Sequence, residues 1–160
     1  MSEIPLPLAA DATASLVRSV RRIAQAIDVR SREIARLTGL TLPQLLVLQS
    51  IRHLGEVSTR AISRDVSMSP PTVVAVLDRL EARGLIVRYR STTDRRIVHA
   101  RLTEPGHKAL ADSPDLLHAD VLARLALLSP QKRRQIAGAV AALADLMAPP
   151  DAGLETHRGA

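Results

Sequence analysis

The chain has 160 residues, 46% of them hydrophobic, and a formal net charge of +6. This length supplies one compact core, and the absence of cysteine excludes disulfides, thiolate metal sites and thiol redox switching. With one tyrosine and no phenylalanine or tryptophan, the core must be aliphatic and largely helical. No apolar run reaches the roughly 18 residues of a membrane span, and the first residues do not resemble a secretory signal. We therefore expect a cytoplasmic protein with no membrane partner.

The first part of the chain has helical patterns. An extended arm over residues 1–10 should precede a long amphipathic helix over about 11–38, which Asp11 or Thr13 could cap. A second helix is predicted from about residue 42, and its apolar residues surround it. Such a helix is typically buried near the middle of a fold.

The clearest helix start in the sequence lies at Ser69, because serine is a favourable N-cap and the two prolines that follow need no amide hydrogen there. Apolar residues from Val73 to Leu80 then recur at i, i+3, i+4 and i+7, which predicts one buried face. Gly84 should end this helix. A shorter helix over about 59–66 precedes it, so the pair is expected to form a helix-turn-helix.

A basic β-hairpin is predicted directly after these helices. Its strands would lie within Leu85–Tyr89 and Ile97–Leu102, with a long charged tip between them. From Arg83 to Arg101, six arginines stand against one acid, Asp94, so nearly all of the net charge lies in this segment. A capped helix followed by a basic hairpin is typical of a winged helix-turn-helix, in which the helix enters the major groove and the arginines reach the backbone or the minor groove.

The last part of the chain is again helical. Thr103 should cap a helix that Pro114 breaks or kinks, and another helix should run from Ser129 to Pro149, before a disordered tail over 151–160. Its apolar stripe and that of the first helix would be covered by a second copy of the chain. The predicted dimer-interface residues are Leu16, Val20, Ile23, Leu117, Val121, Ile136, Val140 and Leu143.

The chain resembles the MarR family in three segments within about residues 38–110: LTLPQLLVLQSI, GEVSTRAISRDVSMSPPTVVAVLDRLEARGLIVR and TTDRRIVHARLTEPGHKAL. The resemblance implies a mainly α, homodimeric fold of about six helices and a small antiparallel hairpin wing. It implies one domain over 11–150, with dimerisation helices at about 11–38 and 104–148 and a winged-helix lobe at about 41–102. The implied function is that of a sequence-specific transcription regulator, a repressor that binds a near-palindromic operator in double-stranded DNA. A small anionic or aromatic ligand would relieve this repression.

The resemblance also places site residues. The family's Asp-x-Arg wing pattern falls on Asp94 and Arg96, and implies that the carboxylate orients the guanidinium for the minor groove. The chain departs from the family in the recognition helix, where apolar groups replace Arg or Ser, so readout should depend on thymine methyl contacts with Val74 and Ala75 and on phosphate binding by helix N-terminal amides. The predicted DNA-binding residues are Ser67, Ser69, Pro70, Pro71, Thr72, Val74, Ala75, Arg79, Arg88, Arg90, Asp94, Arg95 and Arg96. By analogy with the family, the candidate ligand-binding residues are Arg18, Arg22 and Arg52.

Other functions find less support in the sequence. The five histidines have no metal-binding spacing, so no metal or other cofactor is expected, and the chain has neither a nucleophile elbow nor a phosphate-binding loop, so we do not expect an enzyme. Two alternatives stay open. One is a basic architectural protein that coats DNA with little sequence preference, and the other is a winged helix that binds only protein partners.

Overall fold

A computed structural model describes residues 10–148, which form seven helices and a three-stranded antiparallel sheet. The elements are α1 Ala10–Thr38, α2 Leu42–Leu54, β1 Val57–Ser58, α3 Thr59–Asp65, α4 Pro70–Ala82, β2 Ile86–Arg90, β3 Val98–Leu102, α5 Glu104–Ala111, α6 Ala119–Ala126 and α7 Pro130–Met147. The predicted winged helix-turn-helix fold class is confirmed. The predicted tail, and all of the predicted arm except its last residue, lie outside the described residues.

Two helix boundaries differ from the predictions. Helix α1 begins before Asp11 and Thr13, so the prediction that one of them caps it is wrong. Near Pro114 the chain breaks rather than kinks, because proline has no amide hydrogen and blocks the preceding helical turn. Helix α5 ends at Ala111 and α6 starts only at Ala119, which makes seven helices in residues 10–148 where about six were expected.

The chain divides into two compact units between Leu116 and Leu117. The first contains α1 to α5 and the sheet, and the second contains α6 and α7. The predicted single domain and its dimerisation helices stay a prediction. Among the described helices, none is by itself both long and apolar enough to cross a membrane, although α1 and α2, which meet at a 76° bend, pass that test as a pair by length and composition.

An aliphatic core joins the helix-turn-helix to the sheet in the first unit. Helix α2 lies at its centre: Leu45 and Leu48 are fully buried, and the helix contacts α3, α4, α5 and β3. Helix α4 contributes the apolar face that the sequence predicted, and the strands contribute Ile86 and Ala100. Full burial of one such Leu, Ile or Val side chain contributes about 1.5–3 kcal/mol. The site elements are therefore held by a shared core.

The wing begins almost immediately after the recognition helix α4. Gly84 has φ = +67°, a left-handed conformation that favours glycine, and there the chain turns into β2 while the amide of Leu85 donates to the Leu80 carbonyl at 3.0 Å. Strands β2 and β3 pair antiparallel with Tyr89 opposite His99, and β1 pairs with the other edge of β3. The predicted hairpin is confirmed, with its tip at residues 91–97, one residue later than predicted, because Arg90 still pairs with Val98.

Helix α5 is attached to the same junction. The Thr103 amide donates to the Leu85 carbonyl at 3.1 Å, and its hydroxyl donates to the Gly84 carbonyl at 2.7 Å. The same hydroxyl accepts the Gly106 amide hydrogen at 3.2 Å and so caps the helix. A Cβ on Gly106 would lie 2.0 Å from the Leu85 carbonyl oxygen. Only glycine permits this close approach between α5 and the start of the wing.

Candidate nucleic-acid interface

The turn between α3 and α4 is fixed by hydrogen bonds to α3. The Met68 amide donates to the Ser63 carbonyl at 3.1 Å, and the Ser63 hydroxyl donates to the Met68 carbonyl at 2.5 Å. Ser67, between them in the chain, has φ = +53°, which is uncommon for a residue with a Cβ. The turn therefore sets a defined start for the recognition helix.

The outward face of α4 is exposed and mostly apolar near its N-terminus. Pro71, Thr72, Val74 and Ala75 are all exposed, with Val74 at 42%, and Pro70 beside them is exposed as well. The opposite face lies in the core. The predicted recognition residues thus form one continuous surface over the first two turns of the helix.

Few hydrogen-bond donors remain at this end of α4. Pro70 and Pro71 have no amide hydrogen, the Thr72 amide donates to the Ser69 hydroxyl at 3.4 Å, and the Val73 amide donates to the Ser69 carbonyl at 3.0 Å. The Ser69 and Thr72 hydroxyls bond each other at 2.7 Å. This geometry does not support the predicted binding of phosphate by helix N-terminal amides, because the amides of residues 70–73 are missing or engaged within the helix.

Hydrogen bonds also give the wing tip a defined shape. The Ser91 amide donates to the Ile97 carbonyl at 2.9 Å, and the Ile97 amide donates to the Asp94 carbonyl at 2.9 Å. The Ser91 hydroxyl accepts the amide hydrogens of Thr93 and Asp94 at 3.3 Å each, and Ser91 itself is buried. Residues on the outside of this tip are consequently presented on a fixed loop.

Three arginines project from this loop or its base. Arg95 and Arg96 are exposed, and the Arg90 guanidinium donates to the Arg95 carbonyl at 3.3 Å. Asp94 accepts the backbone amide hydrogen of Arg96 at 2.9 Å, whereas no ion pair between their side chains occurs in the structure over residues 10–148. The Asp-x-Arg pattern therefore acts here by holding the Arg96 backbone, not by holding its guanidinium.

Arg88, a predicted DNA contact, binds two acids of α4 instead. Its guanidinium lies 2.6 Å from a Glu81 carboxylate oxygen and 2.7 Å from an Asp78 oxygen, and its backbone amide donates to Glu81 at 3.1 Å. Hydrogen bonding to Arg88 lowers the pKa of the Glu81 carboxyl, and the same contact raises the pKa of Arg88. This geometry does not support the predicted DNA contact, because the charge is already paired. It joins the first wing strand to the recognition helix.

Sequence reasoning missed the two acids. Asp78 and Glu81 are three residues apart on a helix, so they share one face, and Arg88 follows just after the Gly84 turn. Two acids at that spacing, followed by an arginine just after a tight turn, could have been used to predict these ion pairs from the sequence. Arg83 was missed in the same way: its guanidinium donates to the carbonyl of Gly39, at the end of α1, at 2.8 Å.

A second basic surface lies away from the wing tip. A cavity of about 270 Å³ is lined by residues of α2, β3, α5 and the segment before β1; three of these, Arg52, Arg101 and His107, are basic, and one, Glu56, is acidic. Of the three candidate ligand residues, Arg52 lines this cavity, while Arg18 and Arg22 are exposed on α1 and do not line it. Within the described part of the chain, no group of three or more histidines, aspartates or glutamates is placed to hold a metal ion.

Most of the predicted dimer-interface side chains are exposed. Val20 and Leu143 are half-buried. The other six are 38–54% exposed: Leu16, Ile23, Leu117, Val121, Ile136 and Val140. Large aliphatic side chains are thus exposed on α1 in the first unit and on or next to α6 and α7 in the second, and the predicted dimer interface stays a prediction.

Helix α3, the turn at Ser67, helix α4 and the charged hairpin together define a winged helix-turn-helix protein. The sequence profile of the MarR family matches residues 40–98. An HTH-type transcriptional repressor of Mycobacterium tuberculosis is 34% identical over 99 residues, which cover 59% of this chain and 69% of that protein. The transcriptional repressor MdtR of Bacillus subtilis is 33% identical over 88 residues, 55% of this chain and 57% of MdtR, so the match spans little more than half of that relative.

The chain therefore belongs to the MarR family of transcription regulators, as the resemblance implied. Among solved structures, Bordetella bronchiseptica BpsR, whose DNA binding is regulated by 6-hydroxynicotinic acid, superposes with a TM-score of 0.65 at 24% identity, covering 82% of this chain and 99% of that one. This likeness confirms the fold. The two relatives from Mycobacterium tuberculosis and Bacillus subtilis are transcriptional repressors.

Proposed function

We propose that the protein is a homodimeric repressor that binds a near-palindromic operator in double-stranded DNA. The observation that supports this most is the pairing of an exposed helix face on α4 with an exposed arginine tip, tied together through Arg88. Two such lobes related by a twofold axis would enter successive major grooves about 34 Å apart. Occupying a promoter in this way blocks transcription.

Each part of the surface has a separate task in this proposal. Arg95 and Arg96 enter the minor groove, where narrow A·T-rich segments attract arginine. Arg79 and Arg90 bind phosphates, and Asp94 holds the tip in shape. The surface that faces the major groove and the adjoining phosphates consists of Ser67, Ser69, Pro70, Pro71, Thr72, Val74 and Ala75.

A small anionic or aromatic ligand would relieve repression. The guanidinium groups of Arg52 and Arg101 in the cavity of the first unit would bind its carboxylate, since they outnumber the one acid of the lining, Glu56. The regulation of BpsR by 6-hydroxynicotinic acid supports a ligand of that chemistry. Titrating 6-hydroxynicotinate into the protein–DNA complex and measuring the fraction of bound DNA tests this part of the proposal separately from DNA binding itself.

The test of DNA binding is the salt dependence of the Arg96→Ala variant. Loss of one ion contact per chain should lower the slope of log Kobs against log[salt] by about 0.9 per chain, with weaker binding at low salt. Arg36→Ala is the matched control, because Arg36 is equally an exposed arginine but belongs to α1 and not to the wing. An unchanged slope for Arg96→Ala would remove Arg96 from the interface.

Competition between specific and scrambled duplexes separates the remaining alternatives. A regulator should prefer its operator by about a thousandfold or more. A ratio near one would indicate an architectural protein that coats DNA. No binding to any duplex at low salt would leave a winged helix that serves protein partners alone.

A further inference from the structure

We propose that helix α4 selects DNA by the C5-methyl groups of pyrimidines, so that 5-methylcytosine is read like thymine. The proposal rests on the proposed DNA-binding function and specifies what the recognition helix reads. In the major groove, thymine is the only standard base that presents a methyl group at its edge, and every other readable feature there is a hydrogen-bond donor or acceptor. A helix end with few available polar groups reads mainly the methyl group.

The first step of the argument is the loss of polar groups at the N-terminal end of α4. The prolines at 70 and 71 have no amide hydrogen, and the next two amides are bonded to Ser69. The Ser69 and Thr72 hydroxyls are bonded to each other, which occupies the donor hydrogen of one of them. The bidentate contacts by which Arg reads guanine and Asn or Gln reads adenine have no counterpart among residues 69–75.

The second step is the shape of the exposed apolar surface. Pro71, Val74 and Ala75 lie on one side of α4 at helical spacing, and Val74 is 42% exposed although it is β-branched and aliphatic. At 1.5 Å per residue, positions 70–75 rise about 7.5 Å, which matches roughly two base-pair steps. Two steps span three base pairs with at most one C5-methyl group each, so this surface contacts up to about three methyl groups in each half-site.

The third step concerns the charged residues nearby. Arg83 donates to the Gly39 carbonyl and Arg88 is paired with Asp78 and Glu81, so neither guanidinium is directed to a base. Arg79 is exposed one turn beyond Ala75, where it would bind phosphate and contribute affinity without sequence information. Base selection by α4 is thus left to its apolar N-terminal surface.

The experiment changes the DNA methyl groups one at a time and measures Kd by fluorescence anisotropy. The probe is the tightest-binding duplex recovered from a randomised pool, with each thymine replaced singly by uracil, which removes the methyl and leaves the pairing edge unchanged. We expect about fourfold weaker binding at each contacted thymine. At the same positions, a 5-methylcytosine·guanine pair should bind more tightly than a cytosine·guanine pair by a similar factor.

The matched protein variant is Val74→Thr, which has nearly the same volume but a hydroxyl in place of one methyl. It should lose affinity for the thymine duplex and respond less to uracil than the wild type does, whereas Arg79→Ala should weaken binding to all these duplexes alike. Equal affinity for thymine and uracil at every position, or an undiminished uracil effect in Val74→Thr, would overturn methyl readout while DNA binding stands. Failure of every duplex in the pool to bind would instead overturn the proposed function.

Discussion

Replacing Glu81 by alanine tests whether Arg88 acts by positioning the wing or by touching DNA. The substitution removes a negative charge from the DNA-facing lobe, and on electrostatic grounds alone it should tighten binding. It also removes three hydrogen bonds to Arg88: from Nε at 2.9 Å, from Nη2 at 2.6 Å and from the backbone amide at 3.1 Å. The two roles therefore predict effects of opposite sign.

The magnitude follows from how much of this contact is lost. A hydrogen bond to a charged group contributes about 1.5–3 kcal/mol when it is well shielded. The Arg88 side chain is 26% exposed and that of Glu81 is 38% exposed, which reduces the contribution, and the contact with Asp78 remains. The free energy that holds the wing against α4 should fall by about 1–1.4 kcal/mol, and operator binding should weaken by up to about tenfold.

The assay is operator affinity at fixed salt, with hydroxyl-radical footprinting to report the wing contacts. Asp65→Ala is the control, because Asp65 is an exposed acid at the end of α3 in the same lobe, and its loss should leave binding unchanged or slightly tighter. A charge swap, Glu81→Arg with Arg88→Glu, should recover part of the affinity. If Glu81→Ala binds as tightly as Asp65→Ala and its wing footprint is intact, the positioning role is refuted.

Two further predictions concern the same lobe. Gly106→Ala should lower the free energy of unfolding by about 1–3 kcal/mol or more, since its Cβ would lie 2.0 Å from the Leu85 carbonyl oxygen. Gly138→Ala, with nothing within 4 Å of its Cβ, should raise the free energy of unfolding by roughly 0.5–1 kcal/mol. Urea denaturation of the full chain compares the two variants, and equal stabilities would contradict the close contact at Gly106. The Glu56 carboxylate, and then burial, raise the pKa of Tyr89, the sole tyrosine, so an ultraviolet titration should show its phenolate above the usual range, and Glu56→Gln should shift the midpoint back. Because the pKa of Tyr89 is higher in the folded state, the protonated phenol stabilises the fold fully below about pH 10, and this contribution is lost as the pH rises through the folded-state pKa. A wild-type midpoint at or below that of free tyrosine would contradict the raised pKa.

Local chemistry explains why so much of the fold could be predicted. Serine before two prolines, glycine after an apolar stripe and a polar run between β-branched segments each fix an element within a few residues of the chain. Ser69 caps α4, and Gly84 ends it with a positive φ, both as expected. The exposed face of α4 followed from the same periodicity, because a helix that buries one side presents the other.

The side-chain partners could not be predicted in this way. The sequence shows that Arg88 is basic and lies in the wing, but its partners on α4 become neighbours only when the Gly84 turn folds the strand back onto the helix. The same holds for Asp94: its position in the Asp-x-Arg pattern was correct, yet its carboxylate binds the Arg96 amide because the tip closes tightly around Ser91. Both contacts depend on three-dimensional geometry that spacing alone does not specify.

These contacts change how the positive charge of the wing should be counted. Of the six arginines from Arg83 to Arg101, two are engaged within the protein, and Arg101 lies 5.9 Å from the centroid of the Tyr89 ring and beside the basic cavity. Three arginines at the wing tip and its base remain for DNA. A count from sequence predicts a salt slope of about 5 per chain, whereas the structure supports about 3, with Arg79 adding at most one more. The arginines of such a lobe therefore serve contacts within the protein as well as binding to DNA, and their number alone overstates the salt slope.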